Sequence, residues 1–118
     1  MKKPDEQVTV YQKPTCSTCR NLMMLLKEKG VEFDAVNYFI DPIPRDKLQV
    51  LIRKTGGTAR DFIRTKEPEY KSLGLERASD EEILDALAST PALVQRPIVE
   101  VGDRAIIARP AERVSEIL

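Results

Sequence analysis

The residues of this chain best suited to chemistry are Cys16 and Cys19, two cysteines separated by two positions. A Cys-x-x-Cys pair within a strand–helix–strand pattern is typical of a redox-active dithiol, in which one sulfur forms an adduct and the other displaces it. Half of a zinc site and a pair of inert core cysteines are the alternatives. The chain has 2 cysteines and no histidine, so it lacks the four ligands that a structural zinc site usually needs. We expect thiol chemistry and no bound metal.

The place of Cys16 in the predicted secondary structure favours the thiolate form. A strand pattern at 7–11 precedes it, and a helix pattern at 17–29 follows, with Gly30 as the stop signal. The first N–H groups of a helix have no backbone acceptor, and the helix dipole puts partial positive charge there. Cysteines at such positions can have a pKa of about 3.5–7.5 instead of about 8.5. We therefore expect Cys16 to be the nucleophile, with Cys19 placed to attack an adduct on it.

The first turn of the same helix is a candidate anion site. Ser17 and Thr18 begin the helix, where unpaired N–H groups favour negative charge. Arg20 adds a fixed positive charge one turn along from Cys16. We assign these three residues to oxyanion binding.

A β-hairpin pattern near the C-terminus predicts that two arginines lie side by side. The apolar runs 97–101 and 104–108 flank Gly102-Asp103, a pair typical of a two-residue hairpin turn. The register that this turn sets places Arg96 opposite Arg109. Opposed residues on adjacent strands have Cβ atoms about 4.5–5.5 Å apart, where like charges are destabilising. Two arginines held in this way call for an anion between them.

The expected sheet would bring this arginine pair towards the cysteines. If the hairpin joins the first strand antiparallel, Arg96 and Arg109 lie at the edge of the sheet where Cys16 emerges. A thiolate, a helix N-terminus and two guanidinium groups would then surround one small site suited to a tetrahedral oxyanion. The alternative is that both arginines point into solvent or pair with carboxylates such as Glu112.

The order of elements indicates an α/β fold in one domain, since 118 residues is close to the commonest domain size. The first strand, the helix and an extended run at 31–38 predict a right-handed βαβ unit with parallel strands. The hairpin follows later, with a final helix at 110–118. The segment from about 44 to 90 has only helical patterns, including a capping box from Ser79 to Glu82. We therefore expect a helical insertion between two halves of a sheet.

Composition argues against several classes of function. Lys and Arg number 19 and balance 19 Asp and Glu, so no surface for a polyanion is indicated and direct nucleic-acid binding is not expected. No stretch approaches a membrane span, and Lys2-Lys3 is followed by polar residues in place of the apolar core of a signal peptide. We expect a cytoplasmic monomer, in a compartment where thiols stay reduced.

Four motifs occur in order along nearly the whole chain: Tyr11-x-x-Pro14-x-Cys16-x-Thr18-x-Arg20-Asn21, Ile63-Arg64 running on to Tyr70-x-x-Leu73-Gly74-Leu75, Arg96-Pro97-Ile98-Val99, and Arg109-Pro110-Ala111-Glu112. Together they resemble the arsenate reductases of the glutaredoxin-coupled, thioredoxin-fold class, of which the Spx-type regulators are a sibling group. The resemblance implies a thioredoxin-like core with a helical insertion, and a cis peptide at Arg96–Pro97.

The resemblance also implies roles for individual residues. In that class the first cysteine attacks arsenate and three arginines hold the oxyanion, which corresponds here to Cys16 and to Arg64, Arg96 and Arg109. Arg64 is assigned from the resemblance alone. The resemblance implies no bound cofactor, and electrons would come from glutathione and glutaredoxin or from thioredoxin.

Two positions depart from the pattern of the class. Gln12-Lys13 stands where these reductases commonly have His-Asn, so activation of Cys16 must come from the helix end and from nearby cations. Cys19 stands where the glutaredoxin-coupled enzymes usually have serine, whereas many Spx-type proteins have Cys-x-x-Cys. With two cysteines, Cys19 could release the product and leave a Cys16–Cys19 disulfide for either reductant.

Two other functions stay open at this point. An Spx-like protein would bind the C-terminal domain of the RNA polymerase α subunit and use the two cysteines as a redox switch. Arg109-Pro110 weighs against this, because that group generally lacks the second Arg-Pro motif. The third possibility is a dithiol enzyme of the same class with a substrate other than arsenate, because a fold does not determine a substrate.

Overall fold

The computed structural model describes residues 6–118 and contains one four-stranded mixed sheet. Its strands are β1 (Val8–Gln12), β2 (Asp34–Asn37), β3 (Ile98–Val101) and β4 (Arg104–Ile107), in the spatial order β2-β1-β3-β4. Strands β1 and β2 are parallel, whereas β3 is antiparallel to both β1 and β4. The predicted βαβ unit and the antiparallel addition of the hairpin to the first strand are thus confirmed.

The described residues form two compact units. The sheet unit consists of the described residues up to Asp41 together with Arg96–Leu118. It holds the sheet, helix α1 (Ser17–Glu28) and a 3₁₀ helix at Ala111–Glu116. The helical unit, Pro42–Gln95, holds α2 (Arg45–Thr55), α3 (Pro68–Ser72), α4 (Asp80–Ser89) and the 3₁₀ helices Ala59–Phe62, Leu75–Arg77 and Pro91–Leu93.

The core of the sheet unit lies between one face of the sheet and α1. Alternation along β1 turns Val8 and Val10 to this face, because successive side chains of a strand point to opposite sides. They join a buried cluster with Leu22 and Leu26, which are four positions apart and so share one face of α1. This packing sets where α1 begins relative to the end of β1, and therefore where the cysteines lie.

The hairpin has the predicted register. Gly102 has a φ of 58°, in the left-handed region that a glycine adopts without strain, and the turn pairs Val101 with Arg104. The ladder ends where Ile98 meets Ile107, so the arginines lie just past it. The peptide bond of Arg96–Pro97 is cis as the resemblance implies, and that of Arg109–Pro110 is cis as well.

Two elements of this unit differ from the prediction. Strand β2 begins at Asp34 and not at Val31, because the Val31 N–H donates to the Leu26 carbonyl oxygen at 2.9 Å and completes the end of α1. The final helix, predicted over 110–118, is a 3₁₀ helix at Ala111–Glu116. Its buried residues Ala111 and Val114, and Ile117 just after it, recur every third position, which matches three residues per turn.

The helical unit begins and ends its helices largely where the sequence indicates. The capping box of α4 is present, with the Ser79 N–H donating to Glu82 Oε1 at 2.9 Å and the Glu82 N–H donating to Ser79 Oγ at 3.2 Å. Pro44 is the N-cap residue of α2. No helix among residues 6–118 is long and apolar enough to cross a membrane.

Candidate active site around Cys16

Cys16 occupies the N-cap of α1, between the end of β1 and the first helical turn. Its N–H donates to the Lys13 carbonyl oxygen at 3.0 Å, and its own carbonyl oxygen accepts from the Arg20 N–H at 3.0 Å. These two bonds fix the backbone of the loop before the helix and of its first turn. Cys16 is partly buried and Cys19 is completely buried, and both are free thiols.

Several groups around Cys16 act on its ionisation. Burial, the largest influence, disfavours the thiolate. It is outweighed by hydrogen bonds from the Cys19 N–H, from the Cys19 thiol and from the Thr18 N–H, and by the positive charge of Arg96. The pKa of Cys16 is therefore lowered, as expected for a sulfur at a helix N-terminus.

Cys19 is affected in the opposite direction. Burial raises the pKa of Cys19 to about 12; the hydrogen bond and the negative charge of Cys16 add to the rise, while the Lys13 N–H and Arg96 counteract it. The two shifts run in opposite directions, so Cys16 loses its proton more readily and accepts a hydrogen bond from the Cys19 thiol. The pair thus consists of a more acidic thiol at Cys16 and a less acidic one at Cys19 beside it.

Arg96 supplies the positive charge at this site from a buried position, with only 7% of its surface exposed. Its Nη1 donates to the hydroxyl oxygen of Tyr38 at 3.2 Å. Its Cζ lies 5.3 Å from the centre of the Phe39 ring. The charge of Arg96 acts on both cysteines.

Arg109 lies at the same end of the hairpin as Arg96, but its side chain contacts the Arg96 backbone instead of facing the Arg96 side chain. Its Nη1 donates to the carbonyl oxygen of Arg96 at 3.1 Å, so the contact joins a guanidinium to a backbone and not two facing guanidinium groups. Among residues 6–118, Arg109 forms no ion pair with Glu112, the carboxylate considered in the alternative interpretation. The two arginines are brought together, as the register predicts.

The other residues assigned from the sequence have more varied surroundings. The Thr18 N–H is one of the groups that lower the pKa of Cys16, whereas the Arg20 side chain donates to the Pro14 carbonyl oxygen at 3.3 Å and braces the loop. Ser17 is exposed at the first position of α1. Arg64 lies in the helical unit, where its Nε donates to Glu67 Oε1 at 3.2 Å.

Sequence reasoning missed two aromatic residues near the cysteine loop and gave no contacts for Gln12 and Lys13. Tyr38 and Phe39 follow β2, and the signal that could have found them is that the carboxyl ends of the parallel strands β1 and β2 meet at one edge of the sheet. Lys13 Nζ lies 4.5 Å from the centre of the Phe39 ring. Gln12 is 5% exposed, and its Oε1 has no hydrogen-bond partner within the described part of the chain.

Within residues 6–118, no group of three or more His, Cys, Asp or Glu side chains is placed to hold a metal ion. What the site offers is a nucleophilic sulfur, a second thiol beside it and a buried guanidinium. That combination can form and release a covalent adduct with an electrophilic oxyanion.

The chain is similar to proteins of one family. It matches the ArsC family over residues 11–117. It is 40% identical over 116 residues to the uncharacterised protein YfgD of Escherichia coli K12, covering 96% of this chain and 98% of that one. It is 38% identical over 113 residues to an arsenate reductase of Rhizobium meliloti, covering 94% and 81%. The solved structure of an arsenate reductase from Vibrio cholerae aligns with a TM-score of 0.91 at 34% identity, covering 96% and 98%.

Proposed function

Because the chain belongs to the ArsC family, we propose that it is an arsenate reductase in which the Cys16 thiolate attacks the substrate. Membership of the family makes the protein an ArsC-like thiol oxidoreductase with a thioredoxin-like fold. The observation that carries the proposal is the position of Cys16 at the N-cap of α1, where its sulfur is in the field of the buried Arg96. A small tetrahedral oxyanion is the substrate that such a site suits.

In the first step, Cys16 Sγ forms a bond to arsenic and one arsenate oxygen leaves as water after taking up protons. Arsenic stays pentavalent, and the remaining oxygens carry negative charge. The N–H groups of Ser17 and Thr18 are candidates to bind these oxygens. Arg20, in the first turn of α1, and Arg96 and Arg109, at the end of the hairpin, are candidates to supply positive charge. Arg64 is included because the family pattern has three arginines, which correspond to Arg64, Arg96 and Arg109. Donors of this kind act mainly on the charge that develops in the transition state.

In the second step, Cys19 attacks the sulfur of Cys16. The new S–S bond forms as the S–As bond breaks, and the bonding pair goes to arsenic, which leaves as trivalent arsenite. Each cysteine contributes one electron to this two-electron reduction. Cys19 must lose its proton first, and bonding of Cys16 to arsenic removes the thiolate charge that helps to raise the pKa of Cys19. Adduct formation would thus lower the pKa of Cys19 and make its thiolate easier to form.

The disulfide must then be reduced in a compartment that keeps thiols reduced, such as the cytoplasm. A dithiol protein, thioredoxin or glutaredoxin, would attack this disulfide and regenerate both cysteines. Glutathione with glutaredoxin would be required only if Cys19 does not take part. The presence of Cys19 where the class usually has serine supports the route through an internal disulfide, and arsenic detoxification is the biological role that follows.

The test is an arsenate-dependent turnover assay with thioredoxin and its reductase, and in parallel with glutathione and glutaredoxin. We expect turnover with at least one system and none in Cys16→Ser. If the wild-type protein reduced no arsenate with either system, or if Cys16→Ser kept the wild-type rate, the proposal would be wrong. Mass spectrometry after a single turnover would identify the adduct and the disulfide.

A further inference from the structure

Arg96 is a permanently charged side chain inside the protein, and a buried charge needs groups that hold it in place. Two of its contacts come from consecutive residues beyond β2. The Tyr38 hydroxyl accepts a hydrogen bond from Nη1 at 3.2 Å, and the Phe39 ring lies 5.3 Å from Cζ. The hydrogen bond to Tyr38 holds one nitrogen of the guanidinium, and the Phe39 ring faces its positive charge.

The two aromatic residues are themselves held firmly. Tyr38 is only 1% exposed, so its ring cannot change rotamer without disturbing the packing around it. The rings of Tyr38 and Phe39 pack on each other with centres 5.2 Å apart and a tilt of 39°. Their arrangement links the end of β2 to a side chain that is 58 positions away in the sequence.

Phe39 also contacts the loop that carries the nucleophile. Lys13 Nζ lies 4.5 Å from the ring centre, and the Lys13 carbonyl oxygen accepts the Cys16 N–H at 3.0 Å. The same ring therefore touches a cation of the cysteine loop and the guanidinium of Arg96. The Phe39 ring thus packs against both the cysteine loop and Arg96.

We propose that Tyr38 and Phe39 are positioning residues that hold the Arg96 guanidinium beside the sulfur of Cys16. The inference rests on the proposed function, because the held charge serves the thiolate and its oxyanion adduct. Neither aromatic residue touches the reacting atoms in this scheme. Displacing the guanidinium by a few ångströms would weaken its attraction for the thiolate, since the energy falls with distance.

The test uses Tyr38→Phe, which removes one hydroxyl and keeps the ring. Alkylation of Cys16 by iodoacetamide over a range of pH gives the pKa of its thiol, with mass spectrometry to identify the modified cysteine. We expect Tyr38→Phe to raise that pKa and to weaken protection of Cys16 by arsenate about threefold to tenfold, the effect of losing one hydrogen bond. Phe39→Leu should act in the same direction, and Phe39→Trp, which keeps an aromatic face, should restore part of the effect.

Tyr70→Phe is the matched control. The Tyr70 hydroxyl accepts from Arg60 Nη1 at 3.4 Å in the helical unit, so this variant also breaks a tyrosine–arginine contact. If Tyr38→Phe and Phe39→Leu shifted the pKa of Cys16 no more than Tyr70→Phe does, the positioning role would be refuted. If Tyr38→Phe did not fold, the pKa of Cys16 in Phe39→Leu would be compared with that in Phe39→Trp. Equal values in these two variants would refute the positioning role. A shift of the pKa in a protein that reduces no arsenate would support the positioning role and refute the proposed function.

Discussion

The guanidinium of Arg109 donates a hydrogen bond to the backbone carbonyl oxygen of Arg96 at 3.1 Å. The bond closes the open end of the β3–β4 hairpin, just past the last paired residues. It gives Arg109 a structural part in holding the backbone from which the Arg96 side chain extends. Arg109 is thus connected to the cysteines through Arg96, in addition to any direct contact with a bound oxyanion.

Replacement of Arg109 by alanine should lower both stability and oxyanion binding. The lost hydrogen bond should reduce the free energy of unfolding by about 1 kcal/mol, measured by urea denaturation. Protection of Cys16 from alkylation by arsenate should weaken as well. Arg113→Ala is the control, since Arg113 forms an exposed ion pair with Glu116 whose loss should cost about 0.5 kcal/mol or less. Equal effects of both variants on protection would contradict a special role for Arg109.

The lowered pKa of Cys16 predicts a dependence of stability on pH. Between the folded pKa and the unfolded value of about 8.5, the native sulfur is a thiolate while the unfolded thiol still binds its proton. The difference in free energy of unfolding between wild type and Cys16→Ser should therefore increase as pH rises through this range, and be lost as pH falls through the folded pKa. Denaturation series under reducing conditions from about pH 5 to pH 8.5 would measure it. A difference in free energy of unfolding that stays constant or decreases as pH rises would contradict a lowered pKa of Cys16 in the folded protein.

Cys19→Ser should separate the two chemical steps. After one turnover the wild-type protein should have lost both free thiols to an intramolecular disulfide, because Cys19 lies beside the Cys16 sulfur. The serine variant should still form an adduct on Cys16 but should turn over only with glutathione and glutaredoxin. Mass spectrometry and the two coupled assays measure these outcomes. Unaltered turnover of the variant with thioredoxin would mean that Cys19 takes no part in the reaction and is a core residue only.

Gln12→Met should stabilise the protein. The substitution keeps the length of the side chain and removes a buried amide oxygen that has no hydrogen-bond partner among the described residues. A buried unsatisfied polar atom costs about 1–3 kcal/mol, so a gain of about 1 kcal/mol in thermal or urea denaturation is expected. A loss of more than about 1 kcal/mol would show that the amide does make a needed contact. A parallel loss of arsenate protection would assign Gln12 to the oxyanion site.

Features set by neighbouring residues were predicted well from the sequence. The start of α1 next to Cys16, the turn at Gly102 and the capping box at Ser79 each depend on backbone groups a few positions apart. The turn also determined the pairing of the hairpin, because a two-residue loop allows one register. Arg64 is different, since only the family resemblance points to it.

The sequence by itself determined a cysteine with a lowered pKa at a helix N-terminus, because unpaired amides and the helix dipole act over one turn. Only the tertiary structure decided how Arg96 is held. Of its partners, Tyr38 is only the last residue of the run predicted as extended, and Phe39 lies just beyond it. Which aromatic residue meets a buried guanidinium depends on strand order and on side-chain packing between distant segments. Those are fixed when the whole core closes, not by the spacing of residues along the chain.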